Sequence, residues 1–461
     1  MTESFDAIVI GTGQAGSPLA ERMSGQGLRV AVIERGQVGG TCVNTGCIPT
    51  KALVASAHAA WVVRHAERWG VRPPADPGVD LAAVMARKDR IASNARRNVE
   101  QWLSGMRNVE LIAGHARFED AHTVAVGQRR LRAERIFVNV GGRPATGGIE
   151  GLDGVPWLSN ASIMKLDRLP RHLVVVGGSY IGLEFAQMFR RFGSDVTVVQ
   201  RGTQLVPRED RDVAEALQRI LEDEGVEVRT GAECVRAAPD GDGIVVDVDC
   251  RQGAPRVRAS HLLVATGRRP NTDDLGLERA GVRLDERGYI AVDDQLRSSV
   301  EHIWALGDCN GRGAFTHTSW NDFEIVAANL FDGARRSVGE RVVTYALYTD
   351  PPLARIGLTE REVRERGHDA LIGTRPMSRV GRAIEKGEDA GFIKILVDAK
   401  SKAILGVAIL GVDGDEAVHS LLDVLVAKRP YTEVMNGVRI HPTVCELLPT
   451  VLQSLRPLPA S

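Results

Sequence analysis

Two segments of this sequence repeat one plan: a short apolar strand, a glycine turn, a helix and a second apolar strand. In the first, FDAIVI runs into GTGQAG at 11–16, a helix to about residue 26 and the strand RVAVI. In the second, HLVVVG is followed by GSYIG, a helix through EFAQMFRRFG and the strand VTVVQ. Strands this continuously apolar, joined to helices by glycines, suit parallel sheets covered on both faces and built from right-handed crossovers. Two such units predict an α/β fold with two Rossmann-like dinucleotide-binding domains.

In GTGQAG, Gly11 permits the tight turn, Gly13 lets backbone approach a pyrophosphate, and Gly16 lets helix pack on strand. The pyrophosphate would rest on the helix N-terminus. Glu34 ends the second strand, where an acid accepts hydrogen bonds from ribose hydroxyls. The second turn carries Gly177, Ser179 and Gly182, so serine takes the place of the middle glycine. At the end of its second strand stands Gln200, where an acid would bind a ribose 2′-OH and repel a 2′-phosphate. Without that repulsion, and with Arg201 next to it, the site favours NADPH, with NADH as the alternative; the bland reading of Arg201 is a solvated side chain.

Cys42 and Cys47 lie in GGTCVNTGCIPTKALVASAHAA, with four residues between them. The segment from Ile48 on reads as a helix, which puts the pair at a positive helix end that favours thiolate over thiol. A thiolate is the species that exchanges with disulfides or donates electrons to a flavin. Gly39, Gly40 and Gly46 give room for backbone to pass close to a flat ring. The alternatives are two ordinary buried cysteines or half a metal site, but only His58 lies nearby as a further ligand, so no metal centre is expected. Six cysteines in 461 residues are too few for a secreted disulfide framework.

These motifs resemble those of class I pyridine nucleotide–disulfide oxidoreductases, which include dihydrolipoamide dehydrogenase, glutathione reductase and mercuric reductase. The resemblance runs along essentially the whole chain. It implies FAD at the first nucleotide unit, nicotinamide at the second, Cys42 as the thiol exchanging with substrate and Cys47 as the thiol facing the flavin. It further implies that Lys51 sits near flavin N5 with Glu184 of GSYIGLE as its acidic partner, and that Tyr180 covers the nicotinamide pocket. Asp308 in ALGDCN would bind the ribityl chain, with Thr41 and Gly141 in the FAD site and Gly267 in the nicotinamide site. His441 and Glu446 in HPTVCE match a C-terminal base and its orienting acid, given across a homodimer interface; a neutral imidazole near pH 7 can take a thiol proton. Cys445, inside that dyad, is either a third redox thiol or metal contact, or a small buried residue at a helix start. Cys234, Cys250 and Cys309 have no partner in spacing and read as structural.

The expected organisation is an FAD-binding domain at 1–148, an NAD(P)H-binding domain at 149–268, a return to the FAD domain at 269–338 and an α+β interface domain at 339–461. A proline-containing loop at 71–78 precedes an amphipathic helix at roughly 80–105, with Leu81, Val84, Met85, Ile91, Val99 and Leu103 at helical spacing. Apolar helices are expected at 415–427 and 444–455. The balance of 58 basic against 59 acidic residues gives no electrostatic reason for a nucleic-acid or anionic-membrane partner. No apolar run spans a bilayer and the N-terminus reads as a strand rather than a signal peptide, so a cytoplasmic protein is expected.

Three activities compete. The first is reduction of a small or protein disulfide by NAD(P)H through FAD and the cysteine pair. The second is reduction of a metal ion, because DPPLARIGLTEREV and the C-terminal region resemble mercuric-reductase-like and copper-reductase flavoproteins. Dihydrolipoamide dehydrogenase shares GGTC and GCIP but has an acid where Gln200 stands. The third is a flavoprotein that carries electrons or acts as a scaffold without thiol chemistry, which would leave both cysteines and His441 idle.

Overall fold

The computed structural model describes residues 1–75, 77–232, 235–248 and 256–459, so Cys234, Cys250 and one residue of the 71–78 loop lie outside the described residues. Strands β1 (Thr2–Ile10), β2 (Val30–Glu34), β3 (Val109–Ala113), β4 (Ala116–Phe118), β5 (Thr123–Val126) and β6 (Arg129–Val138) form the first sheet in the order β3-β2-β1-β6-β5-β4. The strand Ile303–Ala305 pairs parallel with β6, so the chain returns to this sheet after its second nucleotide unit. Ala7 to Ile10 of β1 are all buried, as a strand covered on both faces requires. Helix α1 (Gly16–Gly25) follows β1, and α2 (Gly40–Asn44), α3 (Cys47–Arg64) and α4 (Leu81–Ser104) follow β2.

The second nucleotide unit is a five-stranded parallel sheet in the order Val226–Arg229, Asp195–Val199, His172–Val176, His261–Val264, Trp157–Leu158. Helix α5 (Tyr180–Phe192) follows the central strand and α6 (Arg211–Asp223) follows the next. A three-stranded antiparallel sheet, Val235–Asp240, Gly243–Val248 and Arg256–Ala259, packs beside it and was not expected from the sequence. The segments GGRPA and GRRPN pair with each other as antiparallel strands Gly142–Pro144 and Arg268–Pro270. Helix α7 (Thr316–Phe331) follows the return strand.

The C-terminal portion is a six-stranded antiparallel sheet in the order Thr344–Leu347, Leu353–Gly357, Ile404–Leu410, Phe392–Asp398, Ala370–Pro376, Arg456–Pro457. The expected helix at 415–427 is two pieces, Gly414–Ala417 and His419–Val426, and that at 444–455 is a short turn, Cys445–Leu447, followed by Leu448–Gln453. In α4, Lys88 is buried among the apolar positions because its ammonium donates to the Met164 carbonyl at 2.7 Å, a contact that periodicity cannot reveal. Among the described residues no helix is long and apolar enough to cross a membrane.

One buried cluster includes Leu53 of α3, Met85 of α4, Leu183 and Phe189 of α5, and Leu347 and Leu353 of the C-terminal sheet. Polar anchors reinforce this junction. Arg355, about 1% exposed, lies between Glu209 and Asp210 at 2.5 and 3.0 Å, and the Tyr345 hydroxyl donates to Glu209 at 2.6 Å. Lys394 sits among Asp210, Asp212 and Glu360 at 2.9, 2.6 and 2.8 Å, so its ammonium already balances those carboxylates. Arg355→Met strands the buried Glu209 carboxylate without a cation, while Asp210 keeps Lys394. The expected cost is about 3–5 kcal/mol, read as a lowered thermal midpoint of the flavin-loaded protein.

Candidate functional site

At the end of β1, Gly11 adopts φ +104°, and a Cβ there would lie 2.3 Å from the Asn139 carbonyl oxygen. A Cβ on Gly16 would meet the Gly11 carbonyl at 2.2 Å, and one on Gly13 would meet Asn139 Oδ1 at 2.6 Å. Only glycines admit this close turn. Asn139, just after β6, holds it together: its Oδ1 accepts from Gly16 N at 3.0 Å and its Nδ2 donates to the Leu306 carbonyl at 2.7 Å. Helix α1 has no side-chain cap and no acid in its first turn, which suits an anion at its N-terminus. Glu34 accepts from Thr12 N and Thr12 Oγ1 at 3.1 and 2.6 Å, which fixes it at the rim of the turn. This cradle fits the pyrophosphate and ribose of a dinucleotide such as FAD.

The cysteine loop rests on that cradle. Gly39 N donates to Thr12 Oγ1 at 3.0 Å, and a Cβ on Gly40 would lie 3.1 Å from Gly13 Cα. Asn44 Nδ2 donates to the Val38 and Gly40 carbonyls at 2.9 and 3.0 Å, and Thr45 N donates to the Thr41 carbonyl at 2.9 Å. Cys42 therefore lies in the short helix α2, while Cys47 is the first residue of α3. Both are free thiols, Cys42 half-buried and Cys47 exposed.

The two thiols are unequal. The hydrogen bond from Cys42, together with Thr316 and the positive charge of Lys51, pulls Cys47 down to about 6. Cys42 is pushed up because it gives its proton to that sulfur. Thr316 Oγ1, at the start of α7, is 3.0 Å from Cys47 Sγ and can donate to the thiolate. Nothing local in the sequence marks Thr316; only the fold brings it to a cysteine so distant in sequence.

One turn into α3, Lys51 Nζ bonds both oxygens of Glu184 at 2.8 and 2.7 Å and lies 4.6 Å from the centre of the Tyr348 ring. Glu184 is almost fully buried on α5, and its Oε1 also accepts from Tyr348 N at 2.9 Å. Asp308 lies in the turn Gly307–Asn310, where burial pushes its carboxyl up against the opposing pull of Arg268 at 3.5 Å. Arg268 was not anticipated. The turn itself is fixed by buried Asp322, which accepts from Gly307 N and Asn310 Nδ2 at 2.7 and 2.8 Å. Gly141 and Gly267, both at positive φ, lie in the paired connections between the two nucleotide units, accepting from Asn271 N and Ala145 N at 3.1 and 2.9 Å.

At the second turn, a Cβ on Gly177 or Gly182 would lie 2.3 or 1.9 Å from a carbonyl oxygen, so the glycine logic repeats. Ser179 precedes α5 in extended conformation and makes no capping bond. Gln200 Oε1 accepts from Gly178 N at 2.9 Å, the same brace that Glu34 supplies at the first turn but without a charge. Arg201 is exposed and donates to the Gly147 carbonyl at 3.0 Å. Tyr180 packs edge-on against Phe315 and Tyr345, with ring centres 5.6 and 5.5 Å away, and burial pushes its hydroxyl up to about 12.

His441 Nδ1 lies 2.9 Å from Glu446, and the imidazole is 78% exposed beside the exposed side chains of Val438 and Ile440. Among the described residues, no hydrogen bond joins His441 to Cys42 or Cys47 within the chain. Cys445 is half-buried with its sulfur 3.9 Å from the Ala417 carbonyl, while Cys309 is fully buried against the Val138 and Leu306 carbonyls.

The sequence model of the pyridine nucleotide-disulphide oxidoreductase family matches residues 5–322, and that of the family's dimerisation domain matches residues 343–452. The chain is 35% identical to RclA of Escherichia coli over 96% of its length and 98% of that protein. It is 34% identical to a dihydrolipoyl dehydrogenase of Thermus scotoductus, covering 98% of each, and 32% identical to a mercuric reductase of Streptomyces lividans, covering 98% of this chain and 96% of the other. The solved Cu(II) complex of the HOCl-induced flavoprotein disulfide reductase RclA from E. coli superposes with a TM-score of 0.89 at 34% identity, covering 98% of this chain and 99% of the other.

Removing the hydroxyl at Thr316 isolates its contribution. Thr316→Val is expected to raise the pH at which Cys47 becomes a thiolate by about 0.5–1 unit, seen as an alkaline shift in the alkylation profile of that cysteine.

Proposed function

The chain belongs to the pyridine nucleotide-disulphide oxidoreductase family, whose members use FAD and a pyridine nucleotide, and on that premise we propose that it is an NAD(P)H-dependent flavoprotein disulfide reductase working through Cys42 and Cys47. The observation that carries this reading is the cysteine loop seated on the nucleotide turn, with Cys47 held low beside Lys51 and Thr316. FAD, bound over Gly11, Gly13, Gly16, Thr41 and Asp308, would supply two-electron transfer from the nicotinamide. The division into an FAD domain at 1–148 and 269–338, a nicotinamide domain at 149–268 and an interface domain at 339–461 belongs to the same proposal, as does a cytoplasmic location.

The thiol chemistry follows from the residues. In the reduced pair, Cys42 as thiolate attacks one sulfur of a disulfide R–S–S–R′, forming a mixed disulfide and expelling R′S⁻. His441 of the partner subunit, oriented by Glu446 of the partner subunit, takes the Cys42 proton before attack and returns it to R′S⁻. Cys47 thiolate then attacks Cys42 sulfur, closes the Cys42–Cys47 disulfide and releases RS⁻. The dimerisation domain implies a homodimer. The exposure of His441, Val438 and Ile440 supports a site shared across it.

A second reading has support in the Cu(II) complexes of the E. coli relative. Here the reduced pair passes one electron to each of two Cu(II) ions, giving two Cu(I) and the Cys42–Cys47 disulfide. Mercuric reductases among the relatives keep other metal ions in view, and dihydrolipoyl dehydrogenases keep lipoamide.

Anaerobic turnover with oxidised glutathione, lipoamide, Cu(II) and Hg(II) separates these substrates. Cys42→Ser is expected to abolish disulfide turnover while NADPH still reduces the flavin; undiminished turnover with every acceptor would falsify thiol chemistry. The proposed coenzyme is NADPH, because Gln200 braces its turn without a charge and Arg201 lies beside it. Gln200→Glu should keep the fold and lower kcat/KM for NADPH by about tenfold, close to 1.4 kcal/mol. A wild-type preference for NADH would refute the coenzyme assignment.

A further inference from the structure

Residues 348–350, between the strands Thr344–Leu347 and Leu353–Gly357, lie as a strap across α3 and α5. At one end, Tyr348 N donates to Glu184 Oε1 at 2.9 Å and the Tyr348 ring faces the Lys51 ammonium at 4.6 Å. At the other, Asp350 N donates to Gln187 Oε1, and Gln187 Nε2 donates back to the Asp350 carbonyl, each at 2.8 Å. The Asp350 carboxylate binds the Arg191 guanidinium and lies 2.7 Å from His58 Nδ1. Arg191 and Gln187 are themselves held by Glu224, at 2.6 and 3.0 Å.

The spacing explains the geometry. Lys51 and His58 are two turns apart on α3, and Glu184, Gln187 and Arg191 fall on one face of α5. Each helix therefore presents two rungs to the strap: Lys51 with Glu184, and His58 with Arg191 through Asp350. Each rung has one deeply buried member, Glu184 at 6% and Arg191 at 5% exposure, and Lys51, one-third exposed, has more freedom to move than Arg191. Burial works against charge on Asp350, but His58 and Arg191 outweigh it and hold the carboxyl at about 2, so it is an anion throughout the neutral range. The charged groups facing His58 are Asp350, Arg191 and Glu388.

We propose that Asp350 is a positioning residue for the Lys51–Glu184 pair: anchored by Arg191 and His58, it fixes the strap whose Tyr348 amide orients Glu184 and whose Tyr348 ring orients Lys51. This rests on the proposed function, in which Lys51 favours the Cys47 thiolate beside the flavin. The strap thus carries the set of the interface sheet to the redox sulfur without touching it.

The test uses the FAD-loaded dimer and reads the pH midpoint of Cys47 by alkylation and peptide mapping, with the long-wavelength thiolate–flavin absorption of the two-electron-reduced enzyme as a second signal. Asp350→Asn removes the anion shared by Arg191 and His58. Its Cys47 midpoint should move up by about 0.5–1 unit and its long-wavelength absorption should weaken, with Asp350→Glu recovering part of both. His58→Leu, at a half-exposed position, should shift the midpoint in the same direction by less, and serves if Asp350→Asn does not fold. Lys394→Met removes a separate ion cluster between the same two parts of the molecule; it should lower thermal stability and leave the Cys47 midpoint unmoved. If Asp350→Asn and His58→Leu lose stability as Lys394→Met does, with Cys47 titrating as in wild type, the strap is only structural and the proposal falls alone. A wild-type dimer with neither a low Cys47 midpoint nor the long-wavelength absorption would overturn the functional reading, and the strap's role with it.

Discussion

The seating of Gly40 on Gly13 sets the distance scale of the whole site. A side chain on Gly40 would press on Gly13 Cα, push the cysteine loop away from the nucleotide turn and strain the bond from Gly39 N to Thr12 Oγ1. Because that loop leads directly into α3, the same contact decides where Cys47 begins its helix and where Lys51 points one turn later. Backbone packing thus fixes the chemistry; side chains only refine it.

The refinement comes from parts of the chain that are remote in sequence. Thr316 reaches Cys47 from the return segment, Glu184 reaches Lys51 from the second nucleotide unit, and Tyr348 reaches both Lys51 and Glu184 from the interface sheet. Three separately built sheets therefore converge on one sulfur and one ammonium. Their junction is held by the apolar cluster around Leu53, Leu183 and Leu347 and by buried charges at Arg355 and Arg191. Buried ion pairs of this kind contribute little net stability compared with apolar packing, but breaking one is costly, which favours a single relative placement of the sheets.

What was legible in the sequence is what a short segment decides for itself. The glycine turns, the apolar parallel strands, α3 and α4, and the cysteine pair each depend on neighbours a few residues away, and each appears where its pattern placed it. The C-terminal helices at 415–427 and 444–455 are broken where local turns override periodicity, and the burial of Lys88 rests on a tertiary hydrogen bond that periodicity does not carry. Asn139, Thr316, Arg268 and Tyr348 carried no local signal at all. A threonine at a helix start ordinarily caps its own helix; it becomes the partner of a thiolate only when another sheet presents one. Ser179 and Gln200 stood out as departures from a pattern, and Gln200 turns out to keep the scaffolding part of the usual acid while shedding its charge.

The paired strands Gly142–Pro144 and Arg268–Pro270 have a consequence for how such a chain is assembled. Departure and return lie side by side, joined by Ala145 N to the Gly267 carbonyl and Asn271 N to the Gly141 carbonyl. Everything between them is a cassette plugged in through a single two-stranded connector. A cassette of this kind can be exchanged or lengthened without re-threading the sheet that receives it, since the backbone crosses at one hairpin-wide point and only the face packed on α3 and the interface sheet has to be kept.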